Sequence, residues 1–235
     1  MSADASALTE RALAVVCVSG GMDSAVTAAI AATRNRLAFL HASYGQRTAS
    51  KERECFHRLA DHMRVALRLE IEIPVLAMIG GSSLTDETIP IRHGAPEPGV
   101  VPATYVPFRN ANILAAAVSW AEVIDAHEIF VGAVWADSSG YPDCRPEFYQ
   151  AFESATLAGT RPEARIRIVT PLIHMSKTEI VRRGLELGVP FEWTWSCYES
   201  ARDACGECES CLLRRRGFSE AGVVDPIRYR ALTKP

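Results

Sequence analysis

Val15-Val16-Cys17-Val18-Ser19-Gly20-Gly21-Met22-Asp23-Ser24-Ala25 is the stretch on which the fold turns. An apolar, β-branched run ends in Ser-Gly-Gly, and an Ala-rich helical pattern begins at once. That order predicts a strand, a tight turn and a helix N-terminus. Two adjacent glycines are free to take positive φ and let the backbone approach a ligand closely. Their N–H groups, with those of the new helix's first turn, make an anion-binding nest. Asp23 and Ser24 suit that turn, as acceptors for orphan N–H groups or as ligands reaching a phosphate-bound metal.

The loop has neither the G-x-x-x-x-G-K-[ST] of a Walker A nor a G-x-G-x-x-G. Ser19-Gly20-Gly21-Met22-Asp23-Ser24 resembles the PP-loop of the ATP pyrophosphatases. That resemblance implies cleavage of ATP between its α- and β-phosphates, release of pyrophosphate and transfer of AMP to a substrate oxygen. A ligand-free Gly-Gly turn is the bland alternative. The strand before it, the Asp-Ser after it and its place near the N-terminus weigh against that.

The 235 residues, 48% of them hydrophobic, suit one large domain or a domain with an appendage. No apolar run reaches the ~18 residues of a membrane span. Residues 1–10 carry no basic stretch followed by an apolar core, so no secretory signal is expected. A net charge of −3 argues against a nucleic-acid-coating protein and fits an enzyme of small molecules. Four of the seven cysteines fall between positions 197 and 211. Without a signal peptide they read as a metal site rather than disulfides, and the cytoplasm is the expected location.

Strand-like and helix-like segments alternate along the chain, which predicts a parallel α/β sheet with helices on both faces. Strands are expected at 15–18, 37–43, 66–73, 128–134 and 166–170. Tyr44-Gly45-Gln46-Arg47 lies at the C-terminal end of the second, where open sheets bind ligands. A charged helix is expected over 49–64, another from Asn110 to about Asp125, and a third from near Pro146. Residues 77–107, interrupted by Gly80-Gly81 and five prolines, predict a long irregular loop of the kind that serves as a lid. Ser176-Lys177-Thr178-Glu179 is a capping box opening a helix that ends near Gly188. Past Pro190 the βα rhythm stops, so the expected division is an α/β domain over 1–190 and a metal-binding segment over 191–235.

Cys197, Cys205, Cys208 and Cys211 are spaced C-x7-C-x2-C-x2-C. Thiolates two residues apart on a tight turn converge on one cation, and four sulfurs leave no open position, which points to one structural zinc per chain. An iron–sulfur cluster is the rival, weakened by the absence of a Pro after Cys211. Arg214-Arg215-Arg216 should point three ways, as a solvated or ion-paired face. Arg109 and Asn110 open a helix, where the guanidinium suits a phosphate or carboxylate and Asn110 suits capping. Lys177 stands in a helix's first turn, against the dipole, which suggests an anionic partner. The six histidines show no metal-binding spacing and read as structural. Cys17 and Cys55 read as inert packing, and Cys144 as an accessible thiol with no base beside it.

S-G-G-M-D-S, Y-G-Q-R, G-G-S-S-L-T-D, T-Y-V-P-F-R-N, S-G-Y-P-D-C-R-P-E-F and the T-W-S-C-Y…C-G-E-C-E-S-C-L-L-R-R-R-G-F end together resemble the 7-cyano-7-deazaguanine synthase family of queuosine biosynthesis. The resemblance runs through nearly the whole chain, in order. It departs at Thr48, where His is expected, and at Phe108, where many relatives have Ala or Gly. It implies an adenine nucleotide alpha hydrolase-like fold and a C–N ligase converting 7-carboxy-7-deazaguanine, ammonia and ATP to the 7-cyano compound. AMP and pyrophosphate are the favoured by-products. Val18, Ser19, Gly20, Gly21, Met22, Asp23, Ser24 and Ala25 would then hold ATP, with Tyr44, Gln46, Arg109, Asn110 and Lys177. Asp23, Lys177 and Arg109 are the catalytic candidates, with Mg²⁺ near Asp23. Asp137, Ser139, Gly140, Tyr141, Asp143, Arg145 and Phe148 would form the deazaguanine pocket. A homodimer is expected, with no nucleic-acid or membrane partner. The competing readings are a tRNA-thiolating PP-loop enzyme and a non-catalytic ATP-binding module with a zinc knuckle.

Overall fold

The computed structural model describes residues 11–95, 97, 99–136 and 140–231. Its strands are β1 (Leu13–Cys17), β2 (Arg36–Ser43), β3 (Leu67–Glu72), β4 (Glu128–Val131) and β5 (Arg167–Val169). Its α-helices are α1 (Met22–Ala32), α2 (Ala49–His62), α3 (Val75–Ile79), α4 (Arg109–Val123), α5 (Pro146–Gly159), α6 (Lys177–Glu186) and α7 (Glu209–Ala221). The strands form one parallel sheet in the order β3-β2-β1-β4-β5, with Val16 of β1 level with Phe39 and Phe130.

Strand alternation sorts the side chains of β1 into two cores. Ala14, Val16 and Val18 join Phe39, Phe56, Phe130, Ile180 and Phe218 on the face covered by α1, α2, α6 and α7. Val15 joins Leu40, Ile129, Leu114, Ala117 and Tyr149 on the face covered by α4 and α5. Burial on both faces explains why β1 and β2 read as nearly continuous apolar runs. The expected β3 holds as an edge strand, and Leu67 is exposed there. Chain order reverses between β1 and β4. This is the switch point outside whose strand ends an open α/β sheet leaves a crevice.

Two strands are shorter than their sequence patterns suggest. β4 stops at Val131 rather than Val134, because Gly132 leaves the ladder to pass the start of α1. A Cβ on Gly132 would lie 2.9 Å from Ser24 N and 3.0 Å from the Asp23 carbonyl carbon. β5 spans Arg167–Val169 rather than 166–170. The long loop is irregular beyond α3, as its prolines require, yet it is tied down at several points. The Arg47 guanidinium donates to the carbonyls of Asp86 (3.0 Å) and Ile89 (2.7 Å), and Gly94 N–H donates to Glu207 O (3.1 Å).

After the turn at Phe191–Trp193 the chain forms the cysteine loop, and α7 then runs along α6. Phe218 of α7 packs edge-on against Phe191, with centroids 5.1 Å apart. The triple arginine does point three ways, but its first member is not solvated. Arg214 is 1% exposed and makes a two-pronged pair with Asp225 (2.8 and 2.9 Å). It also donates to Thr194 Oγ1 (2.7 Å) and Phe191 O (3.1 Å). Helical phase turns Arg214 toward the core and leaves Arg215 and Arg216 outside. Among the described residues, no helix is long and apolar enough to cross a membrane.

Candidate functional site

A cavity of about 290 Å³ opens at the switch point, between the β1–α1 loop, the ends of β2 and β4, the start of α4 and the cysteine segment. The loop itself is built by unlike glycines. Gly20 has φ +83, and a Cβ there would meet Glu52 O at 2.3 Å, so no side chain fits. Gly21 is extended, with φ −85 and ψ 165, and stands just before α1. The left-handed turn therefore needs one glycine, not two. Ser19 Oγ accepts from Gly21 N–H (3.2 Å), and Ser24 Oγ donates to Gly21 O (2.9 Å). The first N–H groups of α1 have no intrahelical acceptor and face the same end of the sheet.

Lys177 reaches this loop from 154 residues away. Its Nζ lies 2.7 Å from Asp23 Oδ2, while Asp23 Oδ1 is buried without a hydrogen-bond partner. Lys177 is the first residue of α6, and both halves of the Ser176–Glu179 capping box form as the sequence predicts. The cation is thus held against a helix N-terminus by a carboxylate, beside free acceptor capacity that suits a divalent cation.

Across the cavity, Arg109 is enclosed by aromatic rings. Its guanidinium sits 5.4 Å from the Tyr44 ring and 5.7 Å from the Tyr141 ring, and Nη1 donates to Tyr44 Oη at 3.1 Å. Burial works against its charge, but the nearby Asp143 carboxylate favours it and the guanidinium stays protonated. Burial pushes the Tyr44 phenol up to about 12, so it is neutral at working pH. Tyr141 donates to Thr104 Oγ1 (2.9 Å) and lies 3.2 Å from the Tyr198 hydroxyl. Gln46 turns inward: its amide oxygen accepts from Tyr44 N–H (2.8 Å) and its nitrogen donates to Glu52 (2.9 Å). Thr48 completes that network through Glu52 Oε1 at 2.8 Å, which gives the departure from His a structural use.

Asn110 does not cap its helix. The residue before α4 is Phe108, in the left-handed region (φ 57), an outlier for an aromatic residue that glycine would relieve. The cap comes instead from Asp143, 33 residues on, whose Oδ2 accepts from Asn110 N–H at 2.9 Å. Asn110 Nδ2 returns a bond to Asp143 O (2.9 Å). Desolvation raises the Asp143 carboxyl above its ordinary value, and its Oδ1 is buried with no partner.

Val18, Ser19, Gly21, Met22, Asp23, Ser24, Tyr44, Gln46, Arg109, Asn110, Tyr141 and Lys177 all line the cavity. Ala25, on the inner face of α1, lies in the core and not at the cavity. Arg145 stacks over the Trp135 ring (5.8 Å), and Phe148 packs among Phe108, Tyr149 and Phe152. Gly140 has φ +79 beside Val100 O, while Asp137 and Ser139 lie outside the described residues. Cys144 does line the cavity, but burial pushes its thiol up to about 11, which leaves it a poor nucleophile.

The cysteine segment supplies a wall that sequence reasoning did not place here. Trp195, Ser196, Cys197 and Tyr198 line the cavity, and Trp195 N–H donates to Gly20 O at 2.9 Å. The four sulfurs of Cys197, Cys205, Cys208 and Cys211 are buried and all within 4.8 Å of one another. Cys205 and Cys211 are 3.9 Å apart. A tetrahedron of thiolates about 2.3 Å from a zinc ion has edges of ~3.8 Å, so the set fits a four-sulfur metal site.

A Ser-Gly-Gly turn at the switch point of a 3-2-1-4-5 parallel sheet, faced by a lysine from α6, makes this a parallel five-strand α/β protein with a sheet like that of the adenine nucleotide alpha hydrolases. The chain belongs to the family described as queuosine biosynthesis protein QueC, whose model matches residues 13–222. It is 58% identical over 218 residues to the 7-cyano-7-deazaguanine synthase of Chlorobium phaeobacteroides, covering 92% of this chain and 96% of that one. It is 55% identical over 217 residues to the synthase of the same name from Chlorobaculum parvum, with the same coverage. Among solved structures it is similar to the U34-tRNA thiolase NcsA from Methanococcus maripaludis with its [4Fe-4S] cluster. That match has a TM-score of 0.46 and 12% identity, and covers 82% of this chain and 62% of that one.

Proposed function

We infer that this chain makes 7-cyano-7-deazaguanine from 7-carboxy-7-deazaguanine, ammonia and ATP. Family membership supports the reading, and the observation that carries it is the Ser19–Ser24 loop sharing one cavity with the Lys177–Asp23 pair and buried Arg109. A carboxylate is a poor electrophile. Attack of its oxygen on the α-phosphorus of ATP expels pyrophosphate, and ammonia then displaces AMP to leave an amide and a proton. The amide oxygen takes AMP from a second ATP in the same way, and loss of that AMP and of both N–H protons leaves the nitrile. Both activations are the same event at phosphorus, so one site serves both.

In this reading the loop and α1 N–H groups take the pyrophosphate end of ATP, and Lys177 neutralises charge that grows on it. Asp23 Oδ1 would hold Mg²⁺, which supplies further charge neutralisation. Arg109 is the second cation at the phosphates. Tyr141 lends the acceptor a ring face, while Asp143, buried behind the cavity wall, fixes Asn110 at the cavity's edge. The metal of the four cysteines is zinc, and a cytoplasmic setting would keep those thiols reduced. A homodimer belongs to the same proposal, and sedimentation would test it.

The deciding assay mixes ATP, ammonia and 7-carboxy-7-deazaguanine and follows AMP and the nitrile by mass spectrometry. Formation of both supports the reading. ATP binding without AMP indicates a non-catalytic module, and iron with acid-labile sulfide in the purified protein would favour the thiolase-like alternative.

A further inference from the structure

The R-R-R-G-F stretch contains a glycine that the reading above leaves without a role. Gly217 lies on α7 where that helix crosses the first turn of α6. A Cβ built on it would stand 2.9 Å from Lys177 Cβ and 3.0 Å from both the carbonyl carbon and the oxygen of Lys177. These are the fixed atoms of Lys177, not the far end of its side chain, so rotamer change cannot relieve the contact. Gly217 has no positive φ to account for it, and a glycine inside a helix costs roughly 1 kcal/mol against alanine. What the glycine supplies is close approach of two helices.

That approach matters because of what Lys177 carries. Its side chain is 10% exposed and its Nζ is 2.7 Å from Asp23 at the phosphate loop. On the same pair of helices, Thr178 Oγ1 donates to Glu220 Oε2 at 2.6 Å and Arg182 donates to Glu220 O at 3.2 Å. α7 is in turn fixed at its start by Cys208 and Cys211 and at its middle by the buried Arg214–Asp225 pair. The ammonium therefore takes its position from the cysteine segment, through a close helix contact to which α7 brings, at Gly217, no side chain.

We propose that Gly217 is a positioning residue, setting the height of Lys177 over the phosphate loop and coupling the four-cysteine segment to phosphate binding. The proposal rests on the reading of Lys177 as a phosphate-handling residue. Opening the contact to ordinary van der Waals distance moves the first turn of α6 by about half an ångström. Misplacement on that scale in a charge-neutralising group costs roughly tenfold or more in productive binding.

The test is a double-mutant cycle read by pyrophosphate binding in calorimetry, with metal content and circular dichroism checked for each protein. Gly217→Ala is expected to weaken pyrophosphate binding about tenfold in an otherwise wild-type chain. In a Lys177→Met background it is expected to change binding less than twofold, because the group it positions is gone. Glu220→Ala, which loosens the same helix pair without adding an atom, serves if Gly217→Ala does not accumulate folded. Its expected loss is about threefold, again only with Lys177 present. If Gly217→Ala, or Glu220→Ala in its place, weakens binding equally in both backgrounds, or not at all, the positioning role is overturned. Failure of the wild-type protein to bind pyrophosphate would overturn the phosphate reading beneath it instead.

Discussion

Replacing Arg214 by methionine should destabilise this protein more than any substitution of the two arginines beside it. The guanidinium is 1% exposed and Asp225 8%, so both charges have left water. Arg214 donates at 2.8 and 2.9 Å to Asp225, at 2.7 Å to Thr194 and at 3.1 Å to Phe191 O. Methionine keeps much of the volume against Phe218 but strands the carboxylate with, among the described residues, only the Tyr229 hydroxyl (2.6 Å) and Ile227 N–H (3.3 Å) bonded to it. Breaking a buried pair from one side costs about 3–5 kcal/mol. For a chain of this size that lowers Tm by ~10 °C. The effect should reach the site, because Arg214 holds Phe191 and Thr194 and the next residue, Trp195, holds Gly20 O. Urea denaturation of the metal-loaded protein reads the loss directly, with Arg216→Ala as a surface comparison within about 0.5 kcal/mol. Arg214→Met combined with Asp225→Leu should recover most of the loss, since an apolar pair carries no stranded charge. A loss below about 1 kcal/mol for Arg214→Met would place the pair in the class of solvent-screened ion pairs and refute the reasoning.

Gly132→Ala should lower kcat/KM for ATP by at least about tenfold, since the new Cβ meets backbone of Asp23 and Ser24 at 2.9–3.0 Å; kinetics near wild type would show that the strand end can give. Cys144 should react with iodoacetamide at pH 8 roughly a hundredfold more slowly than a free cysteine, because burial raises its thiol from 9.0 to about 11; peptide mapping of the alkylated protein checks this. Asp143→Ala should cost about 1 kcal/mol through loss of the α4 cap and should lower turnover by disturbing Arg109. Asp143→Asn, whose amide oxygen still accepts from Asn110 N–H, should keep the stability; equal melting curves for the two variants would show that the carboxylate is not the cap that matters.

The elements that the sequence discloses are those whose signal is local. A β-branched run ending in Ser-Gly-Gly, the Ser176–Glu179 capping box, Pro146 at the start of α5 and the spacing of Cys205, Cys208 and Cys211 each depend on residues within a few positions of one another. Apolar periodicity sufficed for five strands and for helices on both faces of a parallel sheet. Family resemblance supplied the acceptor for AMP, which no single motif carries. The strand ends were less legible, because β4 ends where α1 crowds Gly132, 108 residues away from Ser24 in the chain.

Tertiary structure decided the partners. Asp143 looks like a pocket carboxylate in the sequence, yet one of its oxygens caps a helix whose own boundary residue, Phe108, has none to give. Three consecutive arginines are equivalent on paper; helical phase and a distant Asp225 bury one of them. Of two adjacent glycines only Gly20 takes positive φ, and Glu52 O leaves no room for a side chain there. Lys177 meets Asp23, and Trp195 meets Gly20, across 154 and 175 residues of chain. Short-range preference is written residue by residue and can be read from the sequence alone. Which distant groups are brought out of water together depends on the packing of the whole chain, and there the site acquires its charges and its walls.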